Sequence, residues 1–182
     1  VSYSHDVAFS PAGTVLAFGL PDGSLRLWQA SGGALLHTLE GESGKICSLA
    51  FSPDGRLLAT GTWDGLVYLW RISDGALVRT LEGHTGGVVS LAFSPDGAMV
   101  ASASLDGTVR VWDESTGAPI RELDRHPVTT GVAFSPDGSM LATDRQLWSV
   151  DDWAPTETMA STRDGMGNVA FSPDGMLLAA GN

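Results

Sequence analysis

Phe51-Ser52-Pro53-Asp54-Gly55 is the stretch that decides the fold, because the chain repeats it. The same five residues return at Phe93–Gly97, Phe134–Gly138 and Phe171–Gly175, and a variant, Phe9-Ser10-Pro11-Ala12-Gly13, precedes them. Successive phenylalanines are 42, 42, 41 and 37 residues apart, and five of the chain's six phenylalanines belong to this motif. Proline fixes φ and glycine supplies positive φ, so each copy is a turn. A fixed step of about 40 residues marks a repeat architecture rather than one irregular domain. Gly 23 and Pro 9 in 182 residues are then punctuation between short strands, not low complexity.

Residues 84–123 show one unit in full. Val88–Phe93 reads as a strand, Ser94–Gly97 as a turn, and Met99–Ala103 as a second strand. Asp106-Gly107 is a hairpin signal, Thr108–Trp112 a third strand, and Pro119–Leu123 a fourth. Proline suits an edge strand, whose outer N–H groups need no partner. Four antiparallel strands in about 42 residues make one propeller blade. Gly83-His84, Asp106-Gly107 and Trp112-Asp113 at these spacings resemble the WD40-repeat β-propeller family, with four repeats and a partial fifth. The fold expected is all-β, a partial propeller with blades at about 1–40, 41–82, 83–124, 125–161 and 162–182. The resemblance implies a hydrogen-bonded chain of His84, Ser102, Asp106 and Trp112 that staples the third blade.

Other copies depart from that pattern. The second keeps Thr60, Asp64 and Trp70, with Glu42 at the histidine position. The first has Asp22 and Trp28, but Phe18 replaces the serine. The fourth places His126 out of register and shortens its second hairpin across Ala142–Trp148, without Asp-Gly. Lower local stability is expected there. A seven-bladed ring would need roughly 290 residues, so the sequence is expected to be part of a longer protein. The alternative is an open arc that pairs with its own copy, and the open flanks favour self-association in either case.

Composition narrows the function. Asp+Glu 21 against Lys+Arg 10 gives a net charge of -11, which repels nucleic acid and anionic membranes. No apolar run reaches the roughly 18 residues of a membrane span. The single Cys47 excludes an internal disulfide framework and a multi-cysteine metal site. Val1–Asp6 lacks the pattern of a secretory leader, and a cytoplasmic location is expected. Gly41–Lys45 resembles the end of a phosphate-binding loop, but Leu39 and Ile46 stand where that loop needs glycine and a hydroxyl. There is no Gly-x-Ser-x-Gly elbow, no activating partner for Cys47, and no paired histidines for a metal. No catalytic residue, metal or cofactor is expected.

The family resemblance directs attention to the narrow top face, where partners of such propellers dock. Matched residue by residue, it offers Tyr3, His5 and Pro21 in the first blade and Lys45, Cys47 and Trp63 in the second. The third offers Gly87, Val89 and Leu105, the fourth Val128 and Thr130. Trp63 stands out, since tryptophan is enriched at binding hot spots. The function expected is a non-catalytic interaction scaffold for a protein or peptide partner, a basic one given the acidic surface. A regulatory propeller within a kinase or nucleotide-switch ATPase is the alternative, and a peptidase gate domain a more distant one.

Overall fold

The computed structural model describes residues 6–20, 24–40, 44–123, 130–144, 146–158 and 167–181. Among these there is no helix. The first sheet comprises β1 (Val7–Phe9), β2 (Val15–Gly19), β3 (Ser24–Gln29) and β4 (Leu35–Glu40). The second comprises β5 (Ile46–Phe51), β6 (Leu57–Thr62), β7 (Val67–Arg71) and β8 (Leu77–Leu81). The third holds β9 (Val88–Phe93), β10 (Met99–Ser104), β11 (Val109–Asp113) and β12 (Pro119–Leu123). The fourth holds β13 (Val132–Phe134), β14 (Met140–Thr143), β15 (Gln146–Ser149) and β16 (Pro155–Thr158). A hairpin of β17 (Val169–Phe171) and β18 (Leu178–Ala180) follows. Every sheet is an antiparallel meander in chain order, and the four strands of the third lie within a residue or so of those read from the sequence.

The blades pack face to face through their first strands, so β1, β5, β9, β13 and β17 neighbour one another in turn. Side chains alternate across a strand, and each inner sheet therefore feeds two cores. Leu58 and Trp70 point into a cluster shared with Leu25, Leu27 and Leu39 of the first blade. Ala59 and Leu69, one residue along, join Val100 and Trp112 of the third blade. Val109, Val111 and Leu123 then meet Phe134 and Leu141 of the fourth. Burial on both faces explains why β6 and β7 lack the polar alternation of a half-exposed strand. It also explains the motif phenylalanine: Phe134, against the third blade, is 8% exposed, whereas Phe9 on the far flank of the first is 62% exposed.

Each Phe-Ser-Pro-Asp-Gly turn is a small polar device. In the second blade Ser52 Oγ donates to Asp54 Oδ1 at 2.6 Å and accepts from Leu57 N at 2.9 Å. Asp54 Oδ1 accepts from Arg56 N at 3.0 Å, and Gly55 closes the turn at φ +70°. Ser94–Gly97, Ser135–Gly138 and Ser172–Gly175 repeat the arrangement. A Cβ built on Gly55 would lie 3.6 Å from Pro11 of the preceding turn. Gly97, Gly138 and Gly175 stand in the same relation to Pro53, Pro95 and Pro136. Turn therefore stacks on turn from blade to blade.

Candidate functional site

Antiparallel meanders put two kinds of connection at opposite ends of the blades. The hairpins between second and third strands, with the links between blades, form the top face. The Ser-Pro-Asp-Gly turns and the turns between third and fourth strands form the lower face.

The third blade brings His84, Ser102, Asp106 and Trp112 together. His84 Nδ1 lies 3.0 Å from Asp106 Oδ2, and His84 Nε2 lies 2.8 Å from Ser102 Oγ. Trp112 Nε1 donates to Ser102 Oγ at 2.8 Å. The carboxylate only accepts, so the network assigns the imidazole proton to Nδ1 and has the serine hydroxyl donate to Nε2. Thr108 adds a hydroxyl donor 2.7 Å from Asp106 Oδ1, and Thr85 N donates to Oδ2 at 2.8 Å. Burial by itself would raise the Asp106 carboxyl, but bonds from Thr108, Thr85 and His84 outweigh it and hold it at about 2. Burial lowers His84 below its ordinary value, against the pull of Asp106, which keeps the ring neutral near neutrality. The His84 ring meets the Trp112 indole edge-on at 6.2 Å. These groups saturate one another, and none presents a nucleophile or an open ligand position.

In the second blade Trp70 Nε1 donates to Thr60 Oγ1 at 3.1 Å, while Asp64 accepts from the Thr62 hydroxyl at 2.5 Å. The fourth blade departs further. Thr143 occupies the Ser102 register, but its hydroxyl accepts from Gln146 N at 3.1 Å and closes the shortened hairpin. Trp148 Nε1 is buried with no hydrogen-bond partner among the described residues. The sequence marks this hairpin as shortened and without Asp-Gly, but assigns no role to Thr143 or Trp148 individually.

Of the top-face candidates, Tyr3, His5, Pro21 and Val128 lie outside the described residues, as do Glu42 and His126. Trp63 is 54% exposed, and its backbone N donates to Lys45 O at 2.9 Å. A Cβ on Gly87 would stand 3.3 Å from Trp63 Cε3, so the indole rests on the backbone of the next blade. Gly87 O in turn accepts from Leu105 N at 2.9 Å. Lys45, Trp63, Gly87 and Leu105 thus form a continuous path across the top of the second and third blades. Val89 and Leu105 are half-buried. Cys47 donates to Lys45 O at 3.4 Å, and burial, with Asp64 nearby, pushes its thiol up, away from reactivity. Thr130 is committed between sheets, its hydroxyl accepting from Gly167 N at 3.0 Å.

No group of three or more His, Cys, Asp or Glu that could hold a metal occurs among the described residues. No helix among them is long and apolar enough to cross a membrane.

Four-stranded antiparallel meanders, repeated at steps of 37 to 42 residues and in the third blade stapled by an Asp-His-Ser-Trp chain, define a repeat β-propeller fold. The family model for the WD domain, G-beta repeat, matches residues 3–29, 33–71, 75–113 and 117–166. These matches cover well over half of the chain, which belongs to the WD40-repeat family. Comparison with curated proteins found no match. The second match runs from β4 through β7, so the family's repeat takes the last strand of one blade with three of the next.

Proposed function

We propose that this chain is a non-catalytic scaffold whose top face, centred on Trp63, holds a protein or peptide partner. Repeats of this family generally mediate protein–protein contact and are generally non-catalytic. The observation that carries the proposal is an indole 54% exposed, whose backbone N donates to Lys45 O and whose ring packs on Gly87. A tryptophan already placed by its neighbours loses little entropy on binding, and its exposed half still brings on the order of 100 Å² of surface to bury. The net charge of -11 accelerates encounter with basic partners, and salt screens that effect.

The test uses peptides selected from a displayed library on the full chain. Trp63→Ala is expected to weaken them by about tenfold or more while the circular dichroism stays unchanged. Unchanged affinity would overturn the assignment of this face.

A further inference from the structure

We propose that the lower face carries a second binding site, a groove across the first three blades that takes a cationic, extended stretch of polypeptide. The groove encloses about 1190 Å³. That is larger than the roughly 300–1,000 Å³ of small-molecule pockets, and its walls come from turns of three successive blades. Val15, Leu57, Ile72 and Val78 supply aliphatic surface within it. An apolar lining of this extent does not suit a bare metal ion, whereas it does suit side chains.

Charge selects the occupant. Asp54, Asp96, Asp113 and Glu114 contribute four carboxylates to the lining. Hydrogen bonds from serine hydroxyls (Ser52, Ser94 and Ser115) are the leading cause holding the first three below the usual carboxylate range. Two guanidiniums oppose them, Arg56 and Arg71. Arg56 already lies 3.6 Å from Asp54, and Arg71 lies 2.9 Å from Asp74, which does not line the groove. The lining is therefore net acidic, and anionic ligands are repelled from it.

The walls are also fixed in advance. Arg79 of the second blade donates from Nε to Glu114 O at 3.1 Å and from its terminal nitrogen to Ser115 O. This ties the third blade's wall to the second blade's outer strand. An extended peptide alternates its side chains, so one set reaches the aliphatic lining while the other meets the carboxylate rim. The matching sequence alternates aliphatic residues with Lys or Arg. Strand length separates the groove from Trp63 by roughly 15–20 Å, enough for both faces to be occupied at once.

The experiment titrates the full chain with a fluorescent peptide of alternating leucine and arginine, and with its leucine–glutamate counterpart, by anisotropy. Only the arginine peptide is expected to bind. Glu114→Lys and Ser73→Arg, both within the groove lining, are each expected to weaken it by roughly tenfold. Glu157→Lys, the same charge change on exposed β16 outside the groove, is expected to change affinity by less than about twofold. Circular dichroism checks the fold of each variant. Absence of binding, or equal weakening by Glu157→Lys and Glu114→Lys, would overturn the proposal. So would loss of binding in Trp63→Ala, which would put the peptide on the top face instead. Retained binding in Trp63→Ala with loss in Glu114→Lys supports it, whatever becomes of the top-face reading.

Discussion

The third and fourth blades share a strand plan and differ in what holds it. In the third, a carboxylate, an imidazole, a hydroxyl and an indole satisfy one another in a buried chain. In the fourth, the equivalent hydroxyl serves its own hairpin and the equivalent indole N–H has no partner among the described residues. Both blades still form four-stranded sheets with the same register between second and third strands. Hydrophobic alternation and turn chemistry thus suffice to build a blade. The polar chain adds stability and uniqueness to one already specified.

Ser102→Ala should have the largest effect, since it strands both His84 Nε2 and Trp112 Nε1. Two buried polar groups at roughly 1–3 kcal/mol each predict a loss of about 3 kcal/mol in urea unfolding. A loss below about 0.5 kcal/mol would show that water or repacking takes the serine's place. Asp106→Ala comes next, at roughly 1–3 kcal/mol, because His84 Nδ1–H loses its carboxylate acceptor and the Thr85 and Thr108 donors lose theirs. An unchanged melting temperature would argue against the staple.

Acid should reproduce that loss without mutation. Both His84 and Asp106 have folded pKa values below their ordinary 6.5 and 3.8, so the unfolded chain binds more protons in acid. Their contribution is present above the ordinary values and is lost as pH falls, first below 6.5 for His84 and then from 3.8 toward about 2 for Asp106. Melting temperature followed against pH should show the upper step in the parent protein and lack it in His84→Gln.

The indoles give the sharpest contrast between the blades. Trp112→Phe removes a satisfied donor and should cost roughly 1–2 kcal/mol. Trp148→Phe removes an unsatisfied one and should be neutral or mildly stabilising. Equal losses in the two variants would erase the distinction. Among the losses expected, the smallest is at the turn between third and fourth strands. Gly33, Gly75 and Gly117 hold φ of +66° to +74° there, and the fourth blade has Trp153 at +57°. Gly117→Ala should cost about 1 kcal/mol, the usual penalty of a left-handed residue with a Cβ.

The features legible in the sequence were those in which residue type and local geometry correspond one to one. Ser52, Asp54 and Gly55 each do one thing in their turn, and four copies spell it out. His84, Ser102, Asp106 and Trp112 were legible only through the family resemblance, whose motif positions they match. Trp63 could be named as a candidate, but its seat on Gly87 depends on how one blade rests on the next. The lower-face groove was not legible. Val15, Ile72, Asp96 and Glu114 come from four segments spread over about a hundred residues, and no single repeat contains the site. Nor could Trp153 be matched to a glycine position, since Asp151-Asp152-Trp153 carries no turn glycine to align.

The stacking of each turn glycine on the preceding proline has a consequence for descent. The joint is the same at Gly55 on Pro11, Gly97 on Pro53, Gly138 on Pro95 and Gly175 on Pro136. A blade duplicated in the gene arrives with both halves of its joint and needs no compensating change in its new neighbours. Stability in such a series is close to a sum over units and their nearest interfaces. Blades can therefore differ as much as the third and fourth do, one with the staple and one with a strained tryptophan, while the common joint keeps them in line.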